Sequence, residues 1–149
     1  MPPLTAEESE LEEKAFLFVR NHKVELIKKF ADPDVYQSVP IPVSLFMAGS
    51  PGAGKTEVSR GLVRKFKDAP VRIDADEIRT LCPEYTGANA HVFQKAANKG
   101  VNTLFDYVLH KESTAFSMVL SRMRALAKTS RDRLSTSVSW RYGSSIRIL

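Results

Sequence analysis

One cysteine and one tryptophan stand in the whole of this 149-residue chain, and it contains neither a long apolar run nor a basic-then-apolar leader. Each shortage excludes something. A lone Cys82 cannot build an internal disulfide framework and fits a reducing compartment. Beside Pro83 it has no activating partner of the kind a catalytic thiolate needs. Without about 18 consecutive apolar residues there is no membrane-spanning helix. An N-terminus carrying Glu7, Glu8, Glu10, Glu12 and Glu13 is the opposite of a secretory signal. The expectation is a cytoplasmic protein with no membrane partner. His22, His91 and His110 are not spaced as metal ligands and have no paired cysteines. With 43% hydrophobic and 26% charged residues, the chain reads as an ordinary globular domain large enough for a real core.

The net charge of +5 is not spread evenly. Residues 1–111 carry 15 Lys/Arg and 15 Asp/Glu, so the whole excess comes from residues 112–149, where 7 basic residues face Glu112 and Asp132. Serine follows the same break, with 5 in residues 1–111 and 9 in the last 38. The basic run from Arg122 to Arg133 could grip phosphates, but neither aromatic interleaving nor a recognised nucleic-acid module accompanies it. Nucleic acid is therefore not an expected partner.

What the chain does have is an unbroken phosphate-binding loop. Gly49, Ser50, Pro51, Gly52, Ala53, Gly54, Lys55 and Thr56 spell G-x-x-x-x-G-K-T. Glycines let successive backbone N–H groups curl around nucleotide phosphates, the lysine reaches the β/γ-phosphates, and the threonine hydroxyl is placed to ligate Mg²⁺. The flanks agree. Val43–Ala48 is a short apolar run of the kind a buried parallel strand shows. After the loop, Val58, Leu62, Val63 and Phe66 fall on one face of a helix spanning Thr56–Phe66. The expectation is that this chain, or its ancestor, bound ATP or GTP.

The rest of the pattern is coarser. Thr5-Ala-Glu-Glu8 predicts a capping box opening a helix that runs to about Phe30, where Ala31-Asp-Pro-Asp34 stops it. Val35–Val43, with Pro40 and Pro42, reads as a connector. Val71-Arg-Ile73 predicts a second parallel strand, followed by Asp74-Ala-Asp76 and a short helix from Glu77. A long helix is expected from Asn89 to about His110. Beyond Lys111 no buried parallel strand is legible; the tail offers only Val138–Trp140 and Ile146–Leu149. The domain organisation expected is an N-terminal helix over 1–34, a phosphate-loop core over 35–111 and a basic, serine-rich tail over 112–149.

Carboxylates just past a strand's C-terminal end lie on the ligand edge of an open α/β sheet. There Asp74 or Asp76 can orient or deprotonate an acceptor hydroxyl in phosphoryl transfer. Either can equally be the N-cap of the following helix.

Taken together, Pro42–Thr56, Arg72-Ile-Asp-Ala-Asp-Glu-Ile-Arg79 and Pro83-Glu-Tyr85 resemble the zeta-toxin family of small-molecule kinases, over roughly Glu12 to Lys111. The resemblance implies an α/β phosphate-loop kinase fold that is incomplete towards the C-terminus. It also implies ATP- and Mg²⁺-dependent phosphorylation of a hydroxyl on UDP-N-acetylglucosamine. Carried over, Lys55 is the phosphate-binding lysine, Thr56 a Mg²⁺ ligand, Asp76 the catalytic base and Asp74 a supporting carboxylate on the metal side. The family admits an antitoxin protein as partner, although no docking site for one is legible here.

The family continues with an apolar strand ending in an acidic residue-Gly-Thr motif, which cannot be read after Lys111. That loss coincides with the composition break, and one cause accounts for both: an out-of-frame translation of 112–149. Restoring one G after the Lys111 codon permits Gly-Ile in place of Glu112-Ser113 and Asp-Gly-Thr-Phe in place of Ser117–Leu120. The alternatives to an active UDP-N-acetylglucosamine kinase are a nucleotide-binding remnant without turnover and a phosphate-loop kinase of another small molecule.

Overall fold

In a computed structural model of the protein, the residues described are 3–39, 44–48, 55–64, 66, 69–111, 113, 115–119, 140–142 and 146–148. Gly49–Gly54 of the phosphate loop, and the side chains of Lys55 and Thr56, lie outside that description.

Thr5 opens the first helix, α1 (Ala6–Asn21). Its hydroxyl accepts the Glu8 N–H at 3.2 Å while the Glu8 carboxylate accepts the Thr5 N–H at 2.8 Å. This is the reciprocal capping box expected from the sequence. The helix does not run on to Phe30, however. It breaks at His22 (φ −97°, ψ 32°), and a separate α2 (Lys23–Phe30) follows. The His22 ring stacks on Phe18 with centroids 4.1 Å apart. Its Nδ1 lies 2.8 Å from the Phe18 carbonyl, which the His22 N–H also reaches at 3.0 Å. Ring and backbone share one acceptor, and the helix stops there.

Five strands form one sheet in the order β2-β3-β1-β5-β4. They are β1 (Ser44–Ala48), β2 (Val71–Asp74), β3 (Ala115–Val119), β4 (Trp140–Tyr142) and β5 (Ile146–Ile148). The expectation of no parallel strand beyond Lys111 is corrected here, since β3 lies between β1 and β2 and runs parallel to both. A strand between two neighbours has its backbone groups bonded on both edges whatever its side chains, so an unremarkable sequence can occupy the central place. The sheet is also mixed rather than wholly parallel: β5 pairs antiparallel with β1 and with β4.

The helix after the loop, α3, spans Lys55–Val63 and stops short of Phe66. From β2 the chain enters α4 (Ala75–Arg79) directly. The long helix α5 runs Gln94–His110, beginning five residues later than expected. Asn89 is occupied in the preceding turns: its Oδ1 accepts the Thr86 N–H at 3.0 Å and its Nδ2 donates to the Glu84 carbonyl at 2.9 Å. Asparagine used this way favours a turn over a helix. The buried face of α5 carries Ala96, Ala97, Gly100, Val101, Leu104, Phe105 and Val108. It packs on α1, α2, α4 and β2. Ala15 and Val19 of α1 and Leu26 and Phe30 of α2 join the same core as Val71, Ile73 and Ile78.

Candidate functional site

The strand register assembles the site. Asp74 pairs with Met118 of β3, and Met118 pairs with Met47 of β1. Asp74 is thus level with Met47 and two strand spacings away, about 10 Å. Because β1, β3 and β2 are parallel, Ala48 and Asp74 end on the same edge. From that edge the chain enters Gly49 of the phosphate loop after β1, and α4 after β2. The carboxylate pair, beginning 18 residues after Thr56 in sequence, stands at the C-terminal rim of the sheet, the edge at which β1 also ends and where open α/β sheets bind ligands.

Asp74 is the N-cap of α4. Its Oδ1 accepts the Asp76 N–H at 3.0 Å, and its Oδ2 pairs with Arg72 Nη2 at 2.8 Å. Residues i and i+2 of a strand share a face, which is why Arg72 and Asp74 meet. Arg72 also bridges to Glu77 in α4. Burial pushes the Asp74 carboxyl up from the ordinary aspartate range, and the Asp76 N–H and Arg72 pull it back only in part. The helix-capping alternative weighed from the sequence thus describes Asp74, and both its oxygens are engaged by the chain itself.

Asp76 differs. Its side chain is 69% exposed, in the first turn of α4, and one oxygen is held by Arg79 three residues on. Arg79 is 4% exposed, and its other terminal nitrogen donates to Gln94 Oε1 at the start of α5, at 2.6 Å. Gln94 Nε2 in turn donates to Asn98 Oδ1 at 2.9 Å. The sequence reading missed Arg72, Arg79 and Gln94. Spacing carried a signal for two of them: Arg72 lies two residues before Asp74 on a strand, and Arg79 three residues after Asp76 on a helix, both neighbour positions.

The loop between α4 and α5 is held by local contacts. Cys82 is buried and its thiol is pushed up by burial, the state of an inert packing cysteine rather than a nucleophile. Tyr85 packs edge-on against Phe93 with ring centroids 5.4 Å apart. Among the described residues no cluster of three or more His, Cys, Asp or Glu could hold a metal ion. No described helix is long and apolar enough to cross a membrane.

Strand, loop motif, helix and a carboxylate-bearing second strand on one sheet edge define a phosphate-loop α/β protein. The fold is similar to that of a solved chain of the PezAT chromosomal toxin-antitoxin system of the human pathogen Streptococcus pneumoniae. The TM-score is 0.60 and the identity 20%, over 89% of this chain and 53% of that one. The protein therefore spans about half the length of the chain it matches. Among curated proteins none matches. The sequence model of the family described as Zeta toxin matches residues 28–132, and the chain belongs to that family. The match runs past Lys111, where the resemblance read from the residues stops.

Proposed function

We propose that the protein is a kinase that transfers the γ-phosphoryl group of ATP to a hydroxyl of UDP-N-acetylglucosamine. The observation that carries this reading is the register Asp74–Met118–Met47, which brings the carboxylates to the edge from which the phosphate loop departs. Gly49–Gly54 would cradle the phosphates through backbone N–H groups, and Lys55 would balance the charge on the β- and γ-oxygens. Asp76 would take the acceptor proton as the hydroxyl oxygen bonds to phosphorus, while the bond from phosphorus to the bridging oxygen breaks and ADP leaves.

Hard oxygen donors suit Mg²⁺, so the Thr56 hydroxyl and nucleotide phosphates fit it. Asp74, with both oxygens engaged, fits better through an intervening water than as a direct ligand. When bound, the ion neutralises charge on the transferring group. An antitoxin partner belongs to this reading, on the strength of the toxin-antitoxin system that contains the structural neighbour.

Purified protein with ATP, Mg²⁺ and UDP-N-acetylglucosamine should yield a phosphorylated sugar nucleotide detectable by mass spectrometry. Absence of product with ATP binding retained, and lost in Lys55→Ala, would favour a nucleotide-binding remnant.

The out-of-frame origin of 112–149 is part of the same proposal. The segment that re-reads as Asp-Gly-Thr-Phe covers Ser117–Leu120, and Met118 within it is in register with Asp74. A restored acidic residue would thus fall beside the carboxylate pair. The gene decides the matter: if restoring one base near codon 112 leaves no long open frame encoding that motif, the proposal fails.

A further inference from the structure

Arg79 is a charge placed where a charge is costly. Its side chain is 4% exposed, and a buried guanidinium persists only when paired and hydrogen-bonded. Its two terminal nitrogens are divided between an acid on its own helix, Asp76, and an amide on another element, Gln94. Its Nε, also buried, has no hydrogen-bond partner. The three groups therefore form a line from α5 to the exposed carboxylate at the sheet edge, with the cation in the middle.

An exposed aspartate on a first helical turn ordinarily samples several rotamers. Here one oxygen of Asp76 is tied from beneath, and among the described residues its other oxygen receives no hydrogen bond. The planar guanidinium fork is what makes the division possible, since two of its N–H groups point in fixed, diverging directions. A lysine at the same place supplies one point charge and cannot set that direction. Gln94 is fixed in turn by Asn98 one turn along α5.

We infer that Arg79 is a positioning residue, which Gln94 orients and which holds one oxygen of Asp76 so that the other faces the acceptor hydroxyl. The inference rests on the kinase reading, in which Asp76 is the base. Orientation of the attacking hydroxyl contributes much of the rate in phosphoryl transfer, and misplacing a reacting group by about 1 Å costs about 100-fold. Arg79 touches neither substrate nor nucleotide in this scheme. Its effect runs wholly through Asp76.

The test uses steady-state kinetics of the full chain with ATP, Mg²⁺ and UDP-N-acetylglucosamine, alongside ATP binding and thermal melting. Arg79→Ala should lower kcat by about 100-fold with KM for ATP unchanged. Arg79→Lys should recover part of that loss, remaining about tenfold below the unmodified chain because its rotatable ammonium does not fix the direction of the Asp76 carboxylate as the planar fork does. Because removing the buried Arg79 side chain also bears on folding, Gln94→Glu provides the independent arm. The new carboxylate competes with Asp76 for Arg79, so kcat should fall while the melting temperature does not, a combination that a purely structural role cannot give. Unchanged kcat in either variant, folded and binding ATP, overturns the inference and leaves the kinase reading standing. No transfer by the unmodified chain overturns both.

Discussion

Gly100 of α5 and Ile78 of α4 meet so closely that a β-carbon on Gly100 would stand 2.6 Å from Ile78 Cγ2 and 3.4 Å from Val19 Cγ1 of α1. Three helices converge on this point. Cγ2 is attached at the branch of a fully buried isoleucine and has little room to move away. The glycine therefore sets how near α4, with Asp76 in its first turn, lies to α5, which carries Gln94.

The first prediction follows from that contact. Gly100→Ala gains about 1 kcal/mol of helix propensity but incurs overpacking of about 1–3 kcal/mol. The net expectation is a loss of about 1 kcal/mol, or about 2–4 °C in melting temperature. In an Ile78→Ala background, where Cγ2 is gone, the same change should be neutral or stabilising. A double-mutant cycle by urea unfolding checks it, and additive effects would show that the close approach is not what limits the packing.

Acid should loosen α1 from its N-terminal end. Glu8 is held below the usual glutamate range, first by the Thr5 N–H and then by His91, whose Nε2 lies 3.0 Å away. A carboxyl depressed in the folded state contributes stability that is present above its unfolded pKa and is lost as pH falls through the lower folded value. The unmodified chain should thus lose α1 protection as pH drops below about 4, and Glu8→Gln should flatten that dependence. Amide hydrogen exchange over Ala6–Asn21 across the acid range reads it. An identical pH dependence in the variant would show that the capping box does not carry the linkage.

Glu84 has φ of 66°, in the left-handed region where an L side chain costs about 1–2 kcal/mol. Asn89 holds it there by donating to its carbonyl. Glu84→Gly removes that penalty and adds about 0.5–1 kcal/mol of unfolded-chain entropy, so a small net gain is expected. Glu84→Val, β-branched and intolerant of positive φ, should lose about 1–2 kcal/mol. Thermal unfolding of the pair should rank glycine above the unmodified chain and valine below it.

How far the sequence announced this arrangement varies with the physics involved. The capping box at Thr5 and the strand ending at Asp74 are local signals, set by residues three or four apart, and the structure repeats them. The break at His22 is different. Ala15, Val19, Leu26 and Phe30 are all buried at spacings that an unbroken helix would also give, so the apolar period passes through the break unmarked. β3 was hidden for another reason. Its place is fixed by backbone pairing to two neighbours, and Ala115–Val119 lacks the acidic-Gly-Thr ending by which the family's strand is known. The carboxylates were legible from their position after β2. Gln94 was not, because its link to Arg79 spans 15 residues and depends on how α4 and α5 pack.

The two aspartates should separate by function. Asp76→Asn keeps an oxygen for Arg79 but cannot take a proton, so transfer should fall by about 10²–10⁴-fold with KM for ATP unchanged. Asp74→Asn keeps an acceptor for the Asp76 N–H but turns an amide donor or a weaker acceptor toward Arg72, so it should act mainly on stability. Its kcat should drop by less than about tenfold. Product formation with UDP-N-acetylglucosamine, measured beside a melting curve for each variant, distinguishes them. The reverse order would transfer the role of base to Asp74. The buried, doubly bonded carboxylate would then have to be released from Arg72 before it could act, and kcat should rise when Arg72 is replaced by glutamine. If Asp76 is the base, the same replacement should instead weaken the hold on the α4 N-terminus and lower kcat together with stability.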